Sequence, residues 1–363
     1  MTSKLHELIE LAKEPSSERR RELLREVTDL FLVQSPTRLD ANQMVLFDDV
    51  MSRITTEMEE VVRAELSQKL APSAFAPPRL LRQLAQDSFD VAAPVLQRST
   101  VLTEADLVEL ARTKGQDHLR AISQREAVPA AVSDAIVERA DDTTLNVLLR
   151  NDGAELSREA SEVAVDRAQA NPDLHAAVVE RRSLPPDLLN EMYFVVEARL
   201  RETIMARNAE LDPQQLQAAL EAGRKRLATR DGAVPPDYHT ADAEVEAMAK
   251  RGELTPTALT SLLRRGEKTK FMLALAKQAD IDFFTARRIL EGKSVDPLAI
   301  VCKAAGFERA LFLTFVVLML DREANAMGRA QEYGELYAKL SREAALRAIR
   351  FWRVRRQTGD LAA

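Results

Sequence analysis

The sequence is poor in the residue types that most metal and nucleophilic sites need. Of its 363 residues only one is a cysteine, Cys302, and only four are histidines. A single cysteine excludes an intramolecular disulfide and a thiolate metal cluster. The histidines are also too far apart in sequence for two of them to form a metal-binding pair on one helical turn. We therefore expect no metal and no other cofactor.

Glycine, aromatic residues and long apolar runs are also scarce. Eleven glycines and an aromatic content of 5% argue against a sheet protein with many tight turns. The longest apolar run, 310–320, is too short to cross a bilayer, which needs about 20 residues. The N-terminal sequence MTSKLHELIELAKE is charged throughout and does not resemble a signal peptide. These features predict no transmembrane segment and a cytoplasmic location.

What the sequence does contain is aliphatic and charged residues in a mixture typical of packed helices. Hydrophobic residues make up 46% of the chain and charged residues 30%. The length predicts two or three domains. The net charge of −6 disfavours general attraction to nucleic acid, so that binding of nucleic acid would need a local basic patch.

A short phrase recurs along the chain: an apolar residue, a residue that starts a helix, and then an amphipathic run. Five copies are spaced by 26 to 28 residues, and two more copies follow 27 residues apart. The copies begin at Leu102-Thr103, Val128-Pro129, Leu156-Ser157, Leu184-Pro185, Leu211-Asp212, Leu254-Thr255 and Ile281-Asp282.

The recurring phrase has a direct physical interpretation. Thr, Ser and Asp side chains accept hydrogen bonds from the unpaired amides of a first helical turn, and proline is tolerated there. Each interval has room for two short helices, for example 116–124 and 129–140. One such pair cannot bury both of its apolar faces, but stacked pairs can. The sequence therefore predicts an all-α protein, an α-solenoid of HEAT-like helix pairs.

Residues 1–71 have a different pattern, which predicts an N-terminal helical hairpin. We expect a short helix at 3–13, a charged helix at 16–33 and, after a turn at 35–37, a long helix at 40–70. Apolar residues spaced alternately by three and four form a heptad seam on the long helix. The seam consists of Met44, Phe47, Met51, Ile54, Met58 and Val61. Two interpretations stay open: the seam forms a homodimeric four-helix bundle, or it packs on the first repeat.

The remaining chain divides at a polar, proline-containing stretch, 230–240. We expect a first array of HEAT-like repeats at 79–210, closed by a long helix at 186–208. A second helical repeat unit is expected at 241–363, and it should end in a long, arginine-rich helix at 324–356.

Two groups of arginines are candidate binding surfaces. The first group falls near the turns within the repeats and should line one edge of the solenoid: Arg98, Arg125, Arg150 and Arg182. The alternative is structural, because arginine near a helix C-terminus is favoured by the helix dipole and by capping of carbonyls. The second group lies on the last helix and includes two aromatic residues: Arg347, Arg350, Phe351, Trp352, Arg353, Arg355 and Arg356. This group either packs through its apolar stems or contacts a protein, nucleic acid or lipid.

The sequence contains none of the common catalytic or nucleotide-binding motifs, and we predict no catalytic residues and no enzymatic activity. His6 and Glu7 on the first helix leave one alternative open. Phosphotransfer proteins place a phospho-accepting histidine on an exposed bundle helix, and a hairpin of that kind is a second interpretation of the N-terminal region.

The segment RLLRQLAQDSFDVAAPVLQRSTVLTEADLVELARTKGQDHLRAISQR, the segment VSDAIVERADDTTLNVLLRNDGA and the closing FWRVRR resemble the alphaproteobacterial family catalogued as domain of unknown function 2336. The resemblance covers most of the chain from about residue 20. It implies degenerate HEAT-type repeats in a bacterial cytoplasmic protein. It supplies no established activity and no catalytic residue.

The leading functional hypothesis is a non-enzymatic scaffold or regulator that binds a protein partner along the helical repeats, with bacterial signalling as one setting. The main alternative is a nucleic-acid-binding protein, because some HEAT-like repeat proteins are DNA glycosylases that cradle a duplex. The arginine groups favour this alternative and the acidic net charge disfavours it.

Overall fold

The computed structural model describes residues 17–33, 41–212, 214–215, 218–219, 234–292, 294–319 and 326–353. Within these residues the secondary structure consists of 21 α-helices and one short 3-10 helix, Pro172–Leu174, and no strand is found. The predicted all-α class is confirmed. The predicted helix at 3–13, the turn at 35–37 and His6 lie outside the described residues.

The chain divides into two compact units, Met1–Ser183 and Leu184–Ala363. The boundary between the two units, after Ser183, falls inside the range 79–210, which the repeats suggest as one array. The division into 1–71, 79–210 and 241–363 stays a prediction.

Eleven α-helices belong to the described part of the first unit. They are α1 (Ser17–Val33), α2 (Ala41–Thr56), α3 (Glu60–Leu70), α4 (Pro78–Ala85), α5 (Phe89–Arg98), α6 (Glu104–Thr113), α7 (Gln116–Ser123), α8 (Ala130–Arg139), α9 (Asp142–Arg150), α10 (Arg158–Ala170) and α11 (His175–Glu180).

The helices that follow α1 form two rows. Row A consists of α3, α5, α7, α9 and α11, and each of these helices packs on the next member of the row. Row B consists of α2, α4, α6, α8 and α10, in which α2 packs on α4, and α6 and α10 pack on α8. Each helix of row B from α4 onwards also packs on the row A helix that follows it in the chain. This pattern of contacts is the one that stacked helix pairs produce.

Six of the seven copies of the recurring phrase start a helix as predicted, and the segment after Leu211-Asp212 is described only in part. Thr103 forms a capping box with Asp106, in which the Asp106 amide donates to Thr103 Oγ1 at 3.2 Å and the Thr103 amide donates to Asp106 Oδ2 at 3.0 Å. Ser157, Thr255 and Asp282 each accept the amide three residues ahead, at 3.0, 3.2 and 2.9 Å. The predicted pair at 116–124 and 129–140 is found as α7 and α8.

The second unit contains the remaining helices. They are α12 (Pro186–Met192), α13 (Ala198–Ala209), α14 (Tyr238–Lys250), α15 (Pro256–Arg264), α16 (Lys268–Ala279), α17 (Phe283–Glu291), α18 (Asp296–Ala304), α19 (Arg309–Met319), α20 (Ala326–Lys339) and α21 (Arg342–Arg353).

The apolar run near residue 310 belongs to the interior of this second unit. It forms α19, which packs on α15 and α20. The rings of Phe312 and Tyr337 stack with their centroids 4.5 Å apart, and Phe271 meets Phe315 edge to face at 5.2 Å. Cys302 is fully buried on α18, and burial raises the pKa of its thiol. Among the described helices, none combines the length and the apolar character that crossing a membrane requires.

The prediction of three long helices is wrong, because each of them is two shorter helices in the structure. The helix at 40–70 stops at Thr56 and restarts at Glu60, and the helix at 186–208 is interrupted at 193–197. In both breaks an arginine five residues downstream caps the freed backbone. Arg63 Nη1 donates to the Met58 carbonyl at 2.7 Å, and Arg201 Nε donates to the Val196 carbonyl at 2.9 Å.

The predicted C-terminal helix at 324–356 is also two helices, α20 and α21. Ser341 separates them, and its Oγ accepts the Ala344 amide at 3.1 Å. The second helix therefore begins with an N-cap of its own.

Candidate functional site

The predicted heptad seam lies mostly inside the first unit. Phe47, Met51 and Ile54 are buried on α2, which packs on α4 and α1, and Met58 is buried in the break between α2 and α3. Met44 is half-buried. Val61 is 62% exposed, and its neighbour Val62 is buried instead. The break between α2 and α3 causes this shift, because it displaces the apolar period by one residue. A homodimer stays a prediction.

A ladder of side chains joins the C-terminal ends of the row A helices. Arg125 Nη1 and Nη2 donate to the carbonyls of Leu96 and Ser99, both at 2.6 Å, on the preceding row A helix and its cap. One repeat later, Asn151 Nδ2 donates to the carbonyls of Ser123 and Arg125 at 2.8 and 2.7 Å. The burial that this position imposes lowers the pKa of the Arg125 guanidinium.

Arg181 forms the last rung of this ladder. It is 4% exposed, and its guanidinium donates to the carbonyls of Leu149 and Asn151 at 3.0 and 3.1 Å and also to that of Ala154. Burial lowers the pKa of this guanidinium. Arg181 is not among the predicted arginines, because its neighbour Arg182 fits the repeat spacing equally well.

A second ladder joins the C-terminal ends of the row B helices. Lys114 Nζ donates to the Gln86 carbonyl. Arg139 Nη1 donates to the carbonyls of Ala111 and Lys114 at 2.6 and 3.0 Å, and Arg167 Nη1 donates to that of Ala140 at 2.7 Å. A cationic residue at the end of each row B helix, 25 to 28 residues apart, was the sequence signal for this ladder.

The predicted arginine edge therefore contains two kinds of residue. All four arginines lie at the C-terminal ends of successive row A helices, as expected. Arg125 faces inward as a capping residue, whereas Arg98, Arg150 and Arg182 are exposed. Arg150 Nε is held by Asn146 Oδ1 of its own helix at 2.8 Å. The structural alternative thus holds for Arg125, and the exposed three remain candidates for binding.

The C-terminal helix is packed through its tryptophan. Trp352 is 4% exposed, and its ring lies 5.6 Å from that of Tyr193 and 5.1 Å from that of Phe194. The guanidinium of Arg288 lies over the Phe194 ring, 5.8 Å from its centroid. Trp352 is therefore a core residue of the second unit.

The structure describes some of the other residues of the predicted C-terminal surface. Arg347 is half-buried and pairs with Glu343 of its own helix, and Arg350 is exposed. Phe351 and Arg353 lie in the last turn of α21. Arg355 and Arg356 lie outside the described residues.

The second unit also has an open cavity of about 410 Å³. Four helices, α15, α16, α17 and α19, contribute its walls. Six of its nine lining residues are apolar, and Lys268 and Glu291 are charged: Leu263, Gly266, Lys268, Phe271, Met272, Leu290, Glu291, Leu318 and Met319. The Glu291 carboxylate is paired with Arg287 at 3.2 Å.

Several titratable groups of the first unit join neighbouring helices or loops. Arg63 Nε and Nη2 donate to the two carboxylate oxygens of Asp87 at 2.6 and 2.8 Å, which lowers the pKa of Asp87. His118 Nε2 lies 3.1 Å from the Asp87 carbonyl. Across the described part of the chain, no three His, Cys, Asp or Glu side chains are grouped so that they could hold a metal ion.

The fold and these contacts define an all-helical protein whose first unit is a stack of helix pairs joined by side-chain ladders. Residues 91–350 match the family model described as "Uncharacterised protein conserved in bacteria (DUF2336)", and the chain belongs to this family. The predicted resemblance is confirmed, while the HEAT-like nature of the repeats stays a prediction. No curated protein and no solved structure matches the chain.

Proposed function

We propose that this protein is a non-enzymatic cytoplasmic scaffold that binds a protein partner along the stacked helices of its first unit. The observation that carries the proposal is the two-row packing of α2 to α11. Stacking of this kind buries the inner face of every helix and leaves the outer faces and helix ends as one extended surface, which helical-repeat proteins use for binding.

The edge at the C-terminal ends of row A supports this function best. Arg98 and Arg150 are exposed there, while the rungs Arg125 and Arg181 fix the backbone beneath them. Exposed arginines on a rigid edge suit the guanidinium's ability to bind carboxylates in a bidentate manner.

Acidic residues on the same edge favour a protein over a nucleic acid as the partner. Glu126 and Asp152 are exposed in the loops that follow α7 and α9, so positive and negative groups alternate along the edge. A polyphosphate backbone would meet repulsion from these carboxylates, whereas a protein surface can carry charges of both signs.

The proposal is tested by affinity capture from the native cell, followed by mass spectrometry. We expect a reproducible, stoichiometric partner with the wild-type protein and loss of this partner with the double variant Arg98→Glu and Arg150→Glu. The matched control is Arg53→Glu with Arg112→Glu, two exposed arginines on row B, and it should capture the partner like the wild type.

Two results would count against the proposal. Recovery of no stoichiometric partner would reject the scaffold itself, and equal loss in both double variants would reject the edge. Binding of duplex DNA that weakens steeply as salt rises would show phosphate contacts and favour the nucleic-acid alternative instead.

A further inference from the structure

The opposite ends of the row A helices carry exposed apolar side chains. Val61, in the first turn of α3, is 62% exposed, and Phe89, the first residue of α5, is 39% exposed. Large apolar residues that stay exposed on neighbouring helices are a common feature of protein interaction sites. In the same helical turns, the buried contacts are made by Val62 and Val91 instead.

These two helix starts are held together by side chains, so the apolar residues have a fixed arrangement. Ser88 Oγ donates to the Glu60 carboxylate, which joins the residues directly before Phe89 and Val61. The ion pair of Arg63 with Asp87 joins the same two helices at 2.6 Å. The arrangement needs no ordering step when a partner binds, which favours affinity.

The surface continues onto the third helix of row A. The ring of His118 on α7 lies edge to face with that of Phe89, with centroids 5.9 Å apart. His118 is itself fixed by its contact with the Asp87 carbonyl at 3.1 Å. Val61, Phe89 and His118 therefore lie on three successive helices of row A, and we call them the N-edge patch.

Carboxylates surround the N-edge patch. Glu59, Glu60 and Asp90 are exposed beside its apolar members, and Asp117 is exposed one residue before His118. Arg63 is paired with Asp87 and Arg120 with Asp117, whereas Lys114 keeps its charge because it bonds the neutral Gln86 carbonyl. The three carboxylates of Glu59, Glu60 and Asp90 therefore outnumber the one uncompensated cation. The surroundings of the patch are thus acidic.

We propose that the N-edge patch is a docking site for a protein segment that carries an apolar anchor residue flanked by lysine or arginine. The anchor packs on Val61 and the Phe89–His118 ring pair, and the flanking cations meet Glu59, Glu60 and Asp90. This inference deepens the proposed scaffold function and rests on it, but it uses the edge of row A opposite to Arg98 and Arg150.

The test uses the full-length protein and a phage-displayed library of random peptides as the probe. We expect panning to enrich peptides with one or two large apolar residues next to Lys or Arg. The most enriched peptide is then synthesised, and its affinity is measured by fluorescence polarisation at two salt concentrations. Binding should weaken at the higher salt concentration, because the flanking charges contribute to it.

Two variants separate a binding role from a structural one. Val61→Asp combined with Phe89→Ser should weaken binding of the peptide at least ten-fold. Val45→Asp is the matched control, since Val45 is 63% exposed on row B, and it should change the affinity less than two-fold. Far-UV circular dichroism with thermal melting confirms that each variant folds.

The inference is overturned if panning enriches no peptide family, if the enriched peptides have acidic flanks, or if both variants bind the peptide like the wild type. These outcomes are distinct from failure of the scaffold proposal. A native partner that is lost with the Arg98 and Arg150 variant but retained with the Val61 and Phe89 variant would support the scaffold and reject the patch.

Discussion

Gly153 lies directly against the backbone carbonyl of Glu126, so closely that a Cβ atom at position 153 would be placed far inside van der Waals contact with that oxygen. The close approach lets two inter-repeat loops pair. The Val128 amide donates to the Gly153 carbonyl at 3.0 Å, and the Glu155 amide donates to the Val128 carbonyl at 2.9 Å. Glycine at this position therefore allows one repeat loop to bond to the next.

Replacing this glycine should loosen the stack. Gly153→Ser forces the two loops apart, and we expect a loss of about 1–3 kcal/mol in the free energy of unfolding, typical of overpacking. The control is Gly115→Ser, because a Cβ at Gly115, the N-cap of α7, meets nothing within 4 Å. Serine is a good N-cap, so this change should stay within about 0.5 kcal/mol. Urea unfolding followed by circular dichroism measures both, and equal stabilities would contradict the prediction.

The buried rung Arg181 and its exposed neighbour Arg182 should respond differently to the same substitution. Arg181→Met removes the donors of three carbonyls and should cost about 2–4 kcal/mol, the range expected when charge-assisted hydrogen bonds are lost. Arg182→Met should cost less than about 0.5 kcal/mol, as is usual at an exposed site. Urea unfolding compares the two variants. A larger effect at Arg182 would mean that the ladder is assigned to the wrong arginine.

The ion pair of Arg63 with Asp87 should make the first unit sensitive to acid. Its hydrogen bonds hold the folded-state pKa of Asp87 below the ordinary value of 3.8. The stabilisation is therefore present above the unfolded-state pKa, about 3.9, and is lost as the pH falls through the lower folded-state pKa. Asp87→Asn should lower stability at pH 7 and flatten its decline in acid. Asp90→Asn, an exposed neighbour, should follow the wild-type curve. Urea midpoints between pH 2 and 7 distinguish these outcomes.

The only tryptophan of the chain reports on the packing of α21. Phe194→Ala removes a ring 5.1 Å from that of Trp352, and we expect a red shift of the fluorescence emission and a loss of about 1–3 kcal/mol. Phe284 is also half-buried in the second unit, and Phe284→Ala serves as the control. The control should leave the emission maximum unchanged, and a red shift in both variants would indicate general loosening instead.

The local features of this fold were predictable and the tertiary ones were not. Thr103, Ser157, Thr255 and Asp282 were identified as caps because an N-cap depends only on residues within one helical turn. The break at Ser341 had the same local signal and was overlooked. The breaks before Glu60 and Ala198 had no such signal. At the break before Glu60, good helix formers continue through the break, and the freed Met58 carbonyl accepts a hydrogen bond from the Arg63 side chain.

The candidate surfaces likewise combine local features that the sequence predicts with tertiary features that it does not. Sequence spacing predicts that Arg98, Arg125, Arg150 and Arg182 line one edge, and all four lie at the C-terminal ends of row A helices. Sequence spacing does not distinguish an exposed arginine from a capping one, because the partners of Arg125 are carbonyls more than 25 residues away. The N-edge patch is not evident from the sequence, because the heptad spacing assigns Val61 to the seam.

The two ladders give the stack a direction. Lys114, Arg125, Arg139, Arg167 and Arg181 all reach back to carbonyls of the preceding repeat. During synthesis, each newly emerged helix pair therefore completes the one made before it, and assembly can follow translation from the N-terminus. A chain released early would end in helices whose carbonyls lack their cationic caps. The last repeat of such a truncated chain would therefore have frayed helix ends.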